Sequence, residues 1–240
     1  MKLGIMQPYF FPYIGYFSLI AHTDQWIVFD ITQYTPKTWM NRNRVLHPEQ
    51  GWNYISAPLL HSSNSLAIYE ARVQDVAATG KSVLGKLSHY RKQAPYYAAV
   101  IKLVSETFAA MRTDSLVQVN VACMAAVCNY LDIPFRHQIC SELGLPLPRE
   151  LHPGGWAPLI CSLLGADAYL NPPGGRDLFD ANEFSAMGVS LEFLKVPEFV
   201  YPTGSYGFEA GLSILDVMMW NSPDAIKDVI VNRSELLRVN

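Results

Sequence analysis

The stretch Lys2-Leu3-Gly4-Ile5-Met6-Gln7-Pro8, followed by a helical pattern over residues 15–20 and by the run Trp26-Ile27-Val28-Phe29-Asp30, decides the fold. Residues 2–6 form a short apolar segment that Gln-Pro ends, and residues 26–30 repeat it after one helix. That order is a β-α-β unit. Strands that are apolar on both faces belong in a parallel sheet covered by helices. A right-handed crossover then puts the loop of residues 7–13 at the carboxyl edge of the sheet.

Working outward, β-branched and aromatic residues over 53–58 and 66–73 predict two more strands, joined as a hairpin-like flap by the polar residues 61–65. Three helices are expected over 78–93, 96–111 and 115–131, the last two opening after Pro95 and after a Thr113-Asp114 cap. A strand over 135–140 precedes a loop rich in proline and glycine. The helix 157–164 is then closed by Gly165. Residues 168–171 read as a strand running into Pro172-Pro173-Gly174-Gly175, 189–196 as another strand and 214–220 as a helix. The expectation is one α/β domain over residues 1–240. Its sheet is mainly parallel, Rossmann-like or related to the nucleotidyltransferase superfamily, with a helical insertion whose residues 78–131 form a subdomain.

Composition bounds the function. The chain has 240 residues, half of them hydrophobic and 16% charged, which allows a sizeable core and excludes a disordered chain. A net charge of -3 supplies no broad positive field, so nucleic acid is not expected as a partner, while a few local arginines suffice for small anions. Gln7, Pro8 and Pro12 interrupt any leader-like apolar region, and no run reaches the roughly 18 apolar residues of a membrane span. A cytoplasmic location is expected. Cys123, Cys128, Cys140 and Cys161 form no CxxC pair and read as buried thiols, Cys161 included, although a neighbouring base would let it carry a thioester. No metal set and no cofactor is expected.

Two clusters carry candidate chemistry. In Gln7-Pro-Tyr-Phe-Phe-Pro-Tyr-Ile-Gly-Tyr16, Phe10, Phe11 and Ile14 read as a staple packing the first helix. Gln7, Tyr9 and Tyr13 instead offer polar tips at a sheet edge. The spacing resembles a nucleotidyltransferase strand followed by His-x-Gly-His, but here Tyr13-Ile14-Gly15-Tyr16 stands in that place, and a neutral tyrosine lacks the positive charge of an imidazolium. In the second cluster, Arg42 and Arg44 alternate with Asn41 and Asn43, beside Tyr34 and Trp39. Such guanidinium forks suit bidentate capture of phosphate or carboxylate, with the aromatics as a stacking surface. The competing reading pairs Arg42 or Arg44 with Asp30, or has the arginines merely solvate a strand.

Further candidates are isolated. His152, in Leu-His-Pro-Gly-Gly155, and Asp30, at a strand end, are the candidate bases. His22, His47, His61, His89 and His137 read as surface or packing residues. Asn171, Gly174 and Gly175 end a strand in the manner of a ligand-binding edge, or serve only a turn. Asp177 and Asp180 read as helix caps. Asp216 interrupts an apolar helix and needs a partner, for which one of the arginines is expected.

Through Met6-Gln-Pro-Tyr-Phe-Phe-Pro-Tyr-Ile-Gly-Tyr16 and Trp39-Met-Asn-Arg-Asn-Arg44 the chain resembles the WbqC-like protein family, and the likeness extends through residues 90–96, 169–175 and 212–216. The paired acids that family often carries after its second strand are reduced here to Asp30 before Ile31, which weakens a two-carboxylate metal site. The resemblance implies a place in O-antigen or other surface-polysaccharide synthesis, with glycyl or N-acyl transfer proposed for some members. The partners would then be a nucleotide-linked amino sugar and an acyl or aminoacyl donor, free or on a carrier protein. Chemistry, rather than the resemblance, assigns the sugar's diphosphate to Arg42 and Arg44. A nucleotidyltransferase-like enzyme and a non-catalytic ligand-binding protein are the rival readings. The residues set no oligomeric state, and a homo-oligomer is compatible with them. The central expectation is that both arginines and the tyrosine-lined corner converge on one anion pocket.

Overall fold

The computed structural model describes residues 1–238 apart from 62 and 64, so part of the polar connection expected at 61–65 lies outside the described residues. Strand β1 (Lys2–Met6) leads through the 7–13 loop to helix α1 (Ile14–Ala21) and strand β2 (Gln25–Val28). An antiparallel hairpin follows, β3 (Arg42–Leu46) and β4 (Trp52–Ser56), outside the main sheet. Helices α2 (Val76–Leu87), α3 (Tyr97–Ala110) and α4 (Leu116–Tyr130) lead back to β5 (His137–Ile139). Then come α5 (Trp156–Leu163), β6 (Ala168–Asn171), α6 (Ala181–Ala186), β7 (Ser190–Lys195), α7 (Ile214–Trp220), α8 (Pro223–Asn232) and β8 (Glu235–Arg238).

The six-stranded sheet has the order β5-β2-β1-β6-β7-β8, parallel except for β8, which runs antiparallel to β7. Counted along the chain, its strands stand 3-2-1-4-5-6, the Rossmann-like order, and the α/β expectation holds. Period-two alternation sends Trp26, Val28, Leu170 and Leu194 to one face, against α1, α4, α7 and α8. Leu3, Ile5, Ile27, Tyr169 and Phe193 go to the other, against α5 and α6. Gly4 is required where it stands, because a Cβ there would lie 2.6 Å from the Trp26 ring. The order reverses between β1 and β6, so a crevice opens beyond their carboxyl ends.

Three expectations are corrected. Residues 66–73 make no strand but a 3-10 turn, Ile68–Glu70, between isolated bridges, and the partner of β4 is β3. The helix expected over 78–93 stops at Leu87, and Ser88–Lys92 tighten into a 3-10 turn that buries Tyr90. Asp216 takes no arginine. It is fully buried and accepts hydrogen bonds from the Tyr90 hydroxyl and from Tyr201 Oη at 2.7 Å. Burial pushes its carboxyl above the usual range, opposed by those two donors. Two tyrosine hydroxyls thus do the work expected of a guanidinium.

Candidate functional site

The 7–13 loop is held from inside the protein, carbonyl by carbonyl. Tyr16 Oη donates to Gln7 O at 2.6 Å, and Asn120 Nδ2 donates to Pro8 O at 2.9 Å and to Met40 O at 2.8 Å. Asn43 Nδ2 donates to Phe10 O (3.1 Å) and Phe11 O (2.9 Å), Ser213 Oγ also to Phe11 O (2.8 Å), and the Ile214 amide to Pro12 O (2.9 Å). This clamp keeps Phe11 at φ 42°, a left-handed conformation that costs a non-glycine residue roughly 1–3 kcal/mol. Phe10 and Phe11 are fully buried, as the staple reading expects. The two sequence clusters meet here because β3 supplies the amide that fastens the loop.

What the clamp positions is one wall of a cleft of about 1180 Å³ at the carboxyl edge of the sheet. Gln7 and Tyr9 line it after β1, Phe29, Ile31, Thr32 and Gln33 after β2, Cys140 and Ser141 after β5, and Asn171 at the end of β6 with Gly175 beyond it. Tyr69, Trp156 and residues of the 144–151 loop, among them Arg149 and Glu150, also line it. Phe29 and Trp156 pair at 6.1 Å between ring centroids. Tyr9 remains a neutral hydroxyl, its pKa raised by burial.

Behind one wall sits a buried carboxylate. Asp30 is 1% exposed and accepts from the Ser141 amide (2.9 Å, Oδ1) and from Ser141 Oγ (2.6 Å, Oδ2). Burial raises its pKa, with the two Ser141 hydrogen bonds opposing the rise. Ser141 itself is exposed in the cleft. A hydroxyl facing a ligand and bonded to a carboxylate behind it can pass a proton in either direction. Cys140 also lines the cleft, but burial and Asp30 push its thiol up to about 12, so it stays protonated. Burial likewise raises the Cys161 thiol to about 12, and that side chain packs in the core.

On the β6 side, Asn171 is buried, with Oδ1 accepting from Tyr169 Oη at 2.9 Å and Nδ2 donating to Pro172 O at 3.2 Å. Gly175 permits this, since a Cβ there would lie 2.1 Å from Asn171 Nδ2. Gly174 has open space around it and does not line the cleft. His152 also lies outside the lining. It is exposed, with Nε2 3.2 Å from Glu183 Oε1. Asp180 caps α6 by accepting from the Asn182 amide.

The arginine cluster is elsewhere. None of Tyr34, Trp39, Asn41, Arg42, Asn43 and Arg44 lines the cleft, and Tyr13 borders a separate concavity of about 160 Å³ with Gly211 and Leu212. The expected convergence on one pocket is therefore corrected. The physical reason is the hairpin: β3 alternates, turning Asn43 and Val45 inward while Arg42 and Arg44 share the opposite face. Tyr34 is fully buried, its hydroxyl bonded to Asn41 Oδ1 at 3.0 Å, so it offers no ring for a ligand to stack on. Asn41 Nδ2 donates to Ala57 O, and Asn43 Oδ1 accepts from the Arg44 amide, so both amides are used internally. Neither arginine pairs with Asp30 or with any other acid among the described residues.

Sequence reasoning missed Ser141, Thr32 and Gln33. A small polar residue two positions past a strand at a ligand-binding edge is the signal that could have pointed to Ser141. Among the described residues no group of three or more His, Cys, Asp or Glu is placed to hold a metal ion. No helix among them is long and apolar enough to cross a membrane.

The model of the WbqC-like protein family matches residues 7–228. The chain is also similar to the uncharacterized protein Rv1507c of Mycobacterium tuberculosis (strain ATCC 25618 / H37Rv), at 26% identity over 220 residues, covering 90% of this chain and 92% of that protein. No solved structure matches.

Proposed function

The chain belongs to the WbqC-like protein family, and from that premise and the cleft we propose a transferase that places an acyl or aminoacyl group on the amino group of a nucleotide-linked sugar, in a surface-glycan pathway. The observation that supports this reading is Asp30 buried behind the exposed hydroxyl of Ser141. Gln7, Thr32 and Gln33 suit sugar hydroxyls, the Phe29 and Trp156 rings suit a base, and Arg149 suits a phosphate.

In the proposed step the sugar nitrogen attacks the donor's carbonyl carbon. The new C–N bond forms, and the bond from that carbon to the donor's leaving atom breaks. The proton lost by nitrogen passes to Ser141 Oγ as the hydroxyl proton moves to Asp30, and it then returns to the leaving group. A carboxylate whose pKa is raised by burial is a stronger base than a solvated one, which favours its part in this relay.

The test incubates the purified protein with a panel of nucleotide-amino sugars and acyl-CoA, acyl-carrier or aminoacyl donors and weighs the sugar. We expect a mass gain with one donor class, reduced about a hundredfold or more by Asp30→Asn and by Ser141→Ala. No gain with any donor, alongside saturable sugar-nucleotide binding, would establish the non-catalytic alternative. That alternative has its own support, because both Asp30 oxygens also fasten the Cys140–Glu142 turn. Nucleotidyl transfer has less support: Tyr16 in the 13–16 turn is buried, burial raises its pKa well above the usual value, and it offers no cation. Release of pyrophosphate from a nucleoside triphosphate would reverse that ranking.

A further inference from the structure

The outer face of the β3–β4 hairpin carries a stack of alternating cations and rings. The Arg44 guanidinium carbon lies 5.3 Å from the Trp39 ring centroid and 5.1 Å from that of Trp52, and the Arg42 guanidinium carbon 4.3 Å from that of Tyr54. Cation–π contact with the ring faces holds both guanidinium planes in place. Each also spends one terminal nitrogen on a main-chain carbonyl, Arg42 Nη2 on Lys37 O (2.5 Å) and Arg44 Nη2 on Gly211 O (3.3 Å).

Two features of this face point to a ligand. Arg42 and Arg44 stand two residues apart on one strand, about 7 Å along the chain, so their charges repel, and neither forms an ion pair with an acid among the described residues. Glu209 approaches the hairpin at Gly51 and forms no ion pair with either arginine. In addition, Trp39 and Trp52 leave 37% and 38% of their surface in solvent, although tryptophan is usually well buried. Held guanidinium groups with no ion-pair partner among the described residues suit a phosphate, and partly exposed indoles beside them suit a sugar ring.

We propose that this face is a second ligand site, separate from the cleft, that binds a phosphorylated sugar, with the phosphate on Arg42 and Arg44 and the sugar against Trp39 and Trp52. It does not depend on transfer in the cleft. It gives the arginines a ligand of the class expected from the sequence, at a different place in the fold.

The test titrates the full chain with glucose 1-phosphate, glucose and inorganic phosphate, read by tryptophan fluorescence. We expect saturable quenching by glucose 1-phosphate, weaker binding of phosphate and none of glucose. Arg42→Gln with Arg44→Gln should weaken glucose 1-phosphate binding about tenfold or more. Gln7→Ala with Ser141→Ala, which alter the cleft, should leave it unchanged. A melting curve accompanies each variant. If the double glutamine variant is unfolded, Arg42→Lys with Arg44→Lys, which keeps both charges but loses the planar forks, should still bind several-fold more weakly than wild type. No saturable binding by wild type, arginine variants that bind like wild type, or binding lost in the cleft variant would each overturn the proposal. Failure of the transfer reading has a different signature, the absence of mass gain.

Discussion

At the scale of single residues, Asp30 shows how position sets chemistry. It lies two residues beyond β2, is buried, and its carboxylate accepts from the amide and hydroxyl of Ser141. Burial raises its pKa, and a base must be ionised to act. Activity that uses Asp30 therefore rises as pH climbs through the raised value, and the acid limb of kcat/KM should lie above the ordinary aspartate pKa of about 3.9. Rates measured from pH 3.5 to 8 check this: the wild type should show the displaced limb, and Asp30→Asn a low, flat profile. A limb at the ordinary value, or one that persists in the variant, contradicts the role. Stability runs the opposite way with pH. The folded state prefers protonated Asp30, so its contribution is full below the ordinary pKa and lost as pH rises through the raised one.

At the scale of elements, the hairpin decides how the amino-terminal motif works. Asn43 points inward from β3 and secures Phe10 O and Phe11 O, and it also receives the Arg44 amide. Replacing it with alanine removes the donor to Phe10 O and the acceptor of the Arg44 amide, while Phe11 O keeps Ser213 Oγ, at about 1–3 kcal/mol for each group left without a partner. Asn43→Ala should therefore lower stability by about 2–4 kcal/mol, read from the urea midpoint, and should loosen Gln7 and Tyr9 at the cleft wall. A midpoint within error of wild type would show that the clamp is dispensable. This element was also the hardest to read from sequence. Arg-Asn-Arg over 42–44 has no apolar alternation, because its inward side chain at 43 is itself polar, whereas β1, β2, β6 and β7 are apolar runs that anyone can see. Residues 66–73 carry strand-forming types but make only single bridges. Propensity there yields to contacts made elsewhere in the molecule.

At the scale of the whole molecule, the order 3-2-1-4-5-6 sends chain connections away from both sides of the β1/β6 boundary and leaves the cleft between them. That is why Gln7, Tyr9, Asn171 and Gly175 were legible as edge residues: each follows or ends a strand that the sequence marks clearly. Ser141 was not singled out, although the strand before it was read, because its neighbours carry no motif. Nor was the separation of the arginines from the cleft, since closeness in sequence to β2 does not tell which way a hairpin turns its face. Hydrogen exchange with and without a nucleotide-amino sugar tests most directly whether this cleft is the functional site. The account predicts slowed exchange at residues 7–9, 31–33 and 140–145, on three separate strand ends at once. Unchanged exchange at all three, with protection confined to the 39–54 hairpin, would contradict it.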